Sequence, residues 1–154
     1  METPSIRSVI ISAHWVSKID HIPKNTTLEQ ELTKTVDALI SKGKKVYLFG
    51  DVPRFPFPPE RCKYVAEGLG RSICSVPLDY IAREEKTYRS ALVGVTSKRP
   101  DVHYLELRDQ LCHQGRCSMI HDGMLMYRDN NHLNILGSRH IGKNVIEKFP
   151  ELLY

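Results

Sequence analysis

The feature that most constrains this chain is a strand–helix–strand pattern in its first third. "IRSVIISAHW", Ile6–Trp15, is a β-rich apolar run bounded by Pro4 before and polar residues after, and it reads as a buried strand. "TTLEQELTKTVDALISKGKK" then places Leu28, Leu32, Val36, Leu39 and Ile40 on one helical face. Thr27 and Gln30 supply a capping-box start, and Gly43 supplies the stop. "KVYLFG" follows as a short continuous apolar run, a second buried strand. Two strands joined through a helix within about 45 residues form a βαβ unit, with parallel strands and a right-handed crossover.

The remainder extends that theme. "DVPRFPFPPE" carries four prolines and must be a loop at the C-terminal end of the second strand, the end where open parallel sheets bind ligands. "AREEKTYRSALVGVTSKR" predicts a second helix closed by Pro100, and "VHYLEL" a third strand. "SMIHDGMLMY" places two short apolar runs around Asp122-Gly123, a strong hairpin signal. "NILGSRHIGKNVIEKF" predicts a closing helix with Asn134 as N-cap and Ile135, Ile141, Val145 and Ile146 on its buried face. Gly137 and Gly142 weaken that helix, since interior glycines cost about 1 kcal/mol each. No repeat or linker interrupts the 154 residues, so one α/β domain is expected.

Composition excludes several classes. Apolar residues at 41% and charged residues at 26% are ordinary for a folded chain and argue against disorder or coiled coil. The net charge of +4 is scattered, without the clustered basic footprint of a nucleic-acid binder, so no nucleic-acid partner is expected. No apolar run reaches the roughly 18–20 residues of a membrane span, and "METPSIRSVIISAHW" is not a signal peptide. The cysteines pull the other way. Cys62, Cys74, Cys112 and Cys117 fall into two sequence-local pairs, as in an oxidising compartment, although four cysteines allow three connectivities. Export by an upstream segment would reconcile the two.

The candidate chemistry lies in "YRDNNHLNILGSRHIG", Tyr127–Gly142. Asp129 and His132 are three residues apart, so in a turn entering a helix they share one side. The carboxylate could then accept the imidazole Nδ1–H and leave Nε2 as a base. The plain alternative is a solvated turn whose Asp and Asn residues cap a helix. Metal binding is a second alternative: Cys112, His113, Cys117 and His121 lie within ten residues, but their spacing matches no compact zinc module. No cofactor or metal is expected.

"LCHQGRCSMIHDGMLMYRDNNHLNILGSRHIG" resembles the closing block of the SGNH-hydrolase-like domain fused to membrane acyltransferase-3 proteins, with its two-cysteine loop, Gly-containing turn, Asp-x-x-His box and small-residue helix. "VIISAHW", "KGKKVYLFGDVP" and "PPERC…CSVP" resemble earlier blocks of the same family, in the same order. The resemblance implies a three-layer α/β/α flavodoxin-like sheet, incomplete at its N-terminal side, with residues 1–154 forming the C-terminal portion of a single SGNH-like domain. It implies a periplasmic or extracytoplasmic domain that works with a membrane acyltransferase-3 domain, in the same full-length polypeptide, to O-acetylate a carbohydrate acceptor. Carried over, Asp129 orients His132, and His132 is the general base. Pairing of Cys62 with Cys74 and of Cys112 with Cys117 follows if the protein matures in an oxidising compartment.

The family's nucleophile sits in a Gly-Asp-Ser box on its first strand, upstream of the block that "SAHW" resembles. "LFGDVP" imitates that box with Val52 at the third position, and valine has no hydroxyl. Ser12, beside His14 and Trp15, lacks the glycine-rich turn that would expose its Oγ. Trp15 could line an acyl or sugar pocket but packs in the core on the simpler reading. His14 has no assignable role, and His140 is expected to be solvated or capping. The chain alone is therefore expected to be inactive, with a non-catalytic carbohydrate- or partner-binding module as the alternative. Without a first strand, the Ile6–Trp15 strand would present an open edge, exposing Val9, Ile10 or Ile11 and favouring self-association.

Overall fold

The computed structural model describes residues 6–62 and 71–153. Pro4, expected to bound the first strand, lies outside them, as do the residues 63–70 between the first two cysteines. Contacts divide the chain into two compact units, Met1–Asp51 with Glu84–Glu106, and Val52–Arg83 with Leu107–Tyr154.

The first unit is built on the predicted βαβ. Strand β1, Ser8–Ile11, is followed by a short helix α1, Trp15–Ile19, then by α2, Leu28–Ile40, and β2, Lys45–Phe49. The first strand is shorter than expected, because the chain turns at His14 and Trp15 begins α1 instead of ending β1. Trp15 is 3% exposed and its Nε1–H donates to the Phe49 carbonyl at 2.8 Å, so it packs in the core, the simpler of its two readings. Helix α2 starts as predicted: Thr27 Oγ1 accepts the Gln30 N–H, and Gln30 Oε1 accepts the Thr27 N–H. Gly43 lies two residues past the cap at φ +68°, a left-handed conformation that favours glycine.

Strand β2 pairs in parallel with β1, Val46 opposite Val9, as the crossover requires. Its other side pairs in parallel with a strand that ends at Leu105, Leu48 opposite Tyr104. Between β2 and that strand the chain forms β3, Ser75–Pro77, and α3, Leu78–Ser97; the strand itself is β4, Val102–Leu105. The sheet order is β1-β2-β4. Val46 and Leu48 point from β2 into a core with Leu32 and Val36 of α2 and Tyr88, Leu92 and Val95 of α3. Tyr47 and Phe49, on the opposite face, are buried too, which is why "KVYLF" reads as a continuous apolar run. Helix α3 begins at Leu78, four residues before the sequence expectation, directly after Pro77. Ile10 on the edge strand β1 is 47% exposed, and Val9 and Ile11 are half-buried.

The described residues of the second unit form short hairpins, several 3-10 turns, the start of α3 and one further helix. Strands β5, Cys112–His113, and β6, Arg116–Ser118, are joined by Gln114-Gly115, both at positive φ, and β3 pairs antiparallel with β6. Strands β7, Ile120–His121, and β8, Met124–Leu125, are joined by Asp122-Gly123, again both at positive φ, which is the hairpin the sequence announces. Cys112 and Cys117 face each other in the β5–β6 register and are disulfide-bonded, as are Cys62 and Cys74. Helix α4, Ile135–Lys148, follows, and a 3-10 turn at Pro150–Leu153 comes after it. Ile141 and Val145 are buried as expected; Ile135, expected on the buried face, is 71% exposed in the first turn, and Gly137 takes the inward position there.

Candidate active site

The segment from Met126 to Asn134 folds back on itself. Tyr127 bridges Leu133, the Arg128 N–H donates to the His132 carbonyl at 2.9 Å, and the Asn134 N–H donates to the Met126 carbonyl at 2.9 Å. Met126 and Tyr127 at its base are buried, while the tip carrying Asp129 and His132 faces outward. Asn134 closes the segment into α4: its Oδ1 accepts the Gly137 N–H at 2.9 Å, and its Nδ2 donates to the Leu125 carbonyl at 2.6 Å. Gly137 is needed here. A Cβ at this position would run into the Met126 carbonyl oxygen, the same atom that receives the Asn134 N–H.

Asp129 and His132 are brought together. The imidazole Nδ1 lies 2.9 Å from Asp129 Oδ2 and 3.0 Å from Oδ1. Asp129 Oδ1 also accepts the backbone N–H of Asn131 at 3.0 Å and of His132 at 2.7 Å. The Asn131 N–H, then the His132 N–H and ring, hold the Asp129 carboxyl down to about 2 against the opposing effect of burial. An ionised carboxylate on Nδ1 fixes the imidazole as the Nδ1–H tautomer, which leaves the Nε2 lone pair free. The His132 side chain is 60% exposed, and among the described residues nothing bonds Nε2. The geometry goes beyond a bare helix cap: the capping residue is Asn134, so Asp129 is released for the ring.

A support that sequence reasoning missed is Phe55. Its N–H donates to the Asn130 carbonyl at 2.8 Å, and its ring meets Tyr127 edge-on at 5.0 Å. The proline-rich loop thus braces the tip from outside, and the density of prolines in "PRFPFPP" is the one sequence signal that a rigid brace was present.

The other singled-out residues fall elsewhere. Ser12 is exposed just past β1, and His14 is the residue before α1, its carbonyl accepting Ser17 Oγ–H at 2.8 Å. In "LFGDVP", the Gly50 N–H donates to the Leu105 carbonyl at 2.8 Å and its Cα packs on Glu106, so this turn is a tight joint. Cys112 and Cys117 are bonded to each other, which removes the two thiolates that the zinc alternative needed. His140 is half-buried and not a cap: its ring packs at 4.2 Å on His121, and its Nε2 meets Asn144 Nδ2 at 3.2 Å.

Residues 1–147 match the family model described as "SGNH domain (fused to AT3 domains)". No curated protein matches by sequence. Among solved structures, the fold resembles the periplasmic domain of a lipopolysaccharide acetyltransferase from Salmonella ser. Paratyphi A, at TM-score 0.53 and 14% identity, over 92% of this chain and 55% of that one. The chain thus spans about half the length of that relative.

Proposed function

The chain belongs to the family of SGNH domains fused to AT3 domains, and from that premise we propose that it supplies the Asp–His half of a Ser-His-Asp acyl-transfer site. The observation that carries this is the Asp129 carboxylate 2.9 Å from His132 Nδ1, with Nε2 unengaged and open to solvent. Asp129 holds the tautomer and stabilises the imidazolium as it forms. His132 Nε2 takes the serine proton as the serine oxygen attacks the acetyl carbonyl, and returns it to the departing group. In the second half it takes the proton of a carbohydrate hydroxyl, whose oxygen attacks the acyl-serine carbonyl, and gives it to the released serine.

The serine in this proposal lies outside these 154 residues. No Gly-Asp-Ser sequence occurs in the chain, and Val52 occupies the third place of its nearest imitation. A membrane acyltransferase-3 domain in the same polypeptide would deliver the acetyl group, and the extracytoplasmic face of the membrane would be the setting. The family's fusion to AT3 domains and the two disulfides support both.

The test uses two proteins. The chain alone should not hydrolyse p-nitrophenyl acetate; the chain extended by its in-frame upstream coding sequence should, and His132→Ala should abolish it. Turnover by the chain alone that His132→Ala removes would place the nucleophile inside it. An extended protein without turnover would favour a binding module.

A further inference from the structure

We propose that the cleft between the β5–β6 and β7–β8 hairpins is a subsite for an anionic saccharide, a sugar ring bearing a carboxylate or a phosphate. The cleft holds about 450 Å³, within the roughly 300–1,000 Å³ typical of small-ligand sites. Its floor is apolar, from Leu111 and Ile120, and suits the C–H face of a sugar ring. Its walls are basic. Arg116 stands opposite His113 in the hairpin register, and His121 faces them from β7.

These groups are positioned before any ligand arrives. Arg116 Nε donates to Ser75 Oγ at 3.0 Å and Nη2 to the Ser75 carbonyl at 3.2 Å, which fixes the plane of the guanidinium and leaves its remaining N–H groups for a planar anion. The Cys112–Cys117 disulfide ties the two strands that carry His113 and Arg116. His121 is wedged between His113, ring centroids 5.7 Å apart, and His140 of α4, 4.2 Å apart. The acid at the rim is Asp122, whose Oδ2 lies 3.5 Å from His121 Nε2 and whose side chain is 81% exposed. Among the described residues that line the cleft, one exposed carboxylate therefore faces an arginine and an imidazole cluster, a balance that favours an anion. Burial, His140 and His113 together hold the His121 pKa down against Asp122, so this ring charges at a lower pH than an ordinary histidine. An arriving anion offsets that repulsion, so binding should take up protons and tighten as pH falls.

The inference rests on the acetyl-transfer reading only in making the sugar an acceptor; the binding itself stands apart. Saturation-transfer NMR on the chain, which tolerates self-association, would compare methyl glucuronide, glucose 1-phosphate and methyl glucoside. At least one anion should bind about tenfold tighter than the neutral sugar, a difference of one charge-assisted contact. Response to the glucuronide marks a carboxylate site, and response to glucose 1-phosphate alone a phosphate site. Arg116→Ala should remove the preference. His113→Gln, at an exposed position with no core role, should weaken it and shift its pH dependence, because His113 is one cause of the lowered His121 pKa. Equal binding of the neutral sugar, no binding of any probe, or anion binding indifferent to both substitutions would overturn the proposal. Anion binding beside an inert extended protein would instead leave the subsite standing and remove the acyl-transfer reading.

Discussion

Two glycines in one helix should respond in opposite directions to the same substitution. Replacing an interior helical glycine by alanine stabilises by about 0.5–1 kcal/mol where the new methyl group has room. At Gly142 nothing lies within 4 Å of the added Cβ, so Gly142→Ala should yield that gain. At Gly137 the Cβ would overlap the Met126 carbonyl oxygen and stand 3.0 Å from Leu133 Cδ2. The first obstacle is backbone and cannot rotate away, so α4 itself must move. Overpacking of this kind costs about 1–3 kcal/mol. The movement also stretches the Asn134 cap on the Gly137 N–H, worth about 1 kcal/mol. Set against the propensity gain, Gly137→Ala should destabilise by about 2 kcal/mol. At roughly 2–4 °C per kcal/mol for a chain of this size, thermal unfolding should fall by about 4–8 °C in one variant and rise by about 2 °C in the other. Paired melts of the two single variants and the parent measure this directly. If Gly137→Ala raised the melting temperature as Gly142→Ala does, the contact between α4 and Met126 would not be what holds the Asp–His turn.

Other consequences can be checked in the same protein. Carboxyl-resolved NMR titration should place Asp129 at about 2, so its contribution to stability is present above the ordinary Asp range and is lost progressively as pH falls from that range through about 2. His132→Ala should raise that midpoint only partly, because the Asn131 N–H is the largest cause of the shift. Arg89→Met should destabilise by about 1–3 kcal/mol, since Arg89 Nε binds the buried Glu106 carboxylate at 2.7 Å while remaining 43% exposed itself. Adding Glu106→Gln should recover much of that loss in a denaturant double-mutant cycle; additive losses would show that the pair is not coupled. The open edge of β1, with Ile10 47% exposed, should make the chain self-associate at micromolar concentration, and Ile10→Lys should return it to monomer in sedimentation velocity. A monomeric parent would contradict that reading of the edge.

The elements most legible from sequence were those decided by local chemistry. The α2 capping box, the Asp122-Gly123 turn and the Asn134 cap each depend on side chains within three or four residues, and each stands where the residues place it. Strand β2 was legible because burial of both faces leaves an unbroken apolar run. What failed depended on partners distant in sequence. Trp15 reads as the last residue of an apolar strand, yet its indole reaches a carbonyl 34 residues away and is carried there by a helix. Ile135 has the right spacing for the inner face of α4, but the approach of Met126 leaves room only for Gly137. Phe55 and the tilted ring contact of His121 with His140 belong to the same class, since no local pattern announces a contact across loops.

Among the described residues, the contacts that orient His132 lie mostly between Met126 and Gly137, with Phe55 as a distant brace. The dyad should therefore be correctly oriented in the chain alone, whether or not a serine is within reach. This separates two causes of inactivity that an ester assay cannot tell apart. If the isolated chain is inert because a nucleophile is missing, His132 should still show a protected, downfield Nδ1–H resonance that Asp129→Asn removes, since an amide cannot hold the ring as an anion does. If it is inert because the turn is malformed, that resonance should be absent from the start, and extending the chain upstream should restore it together with activity. A resonance present in the chain and unchanged on extension, while turnover appears, would be the signature of a prebuilt base waiting for its nucleophile. A resonance that appeared only on extension would show that the local contacts are insufficient.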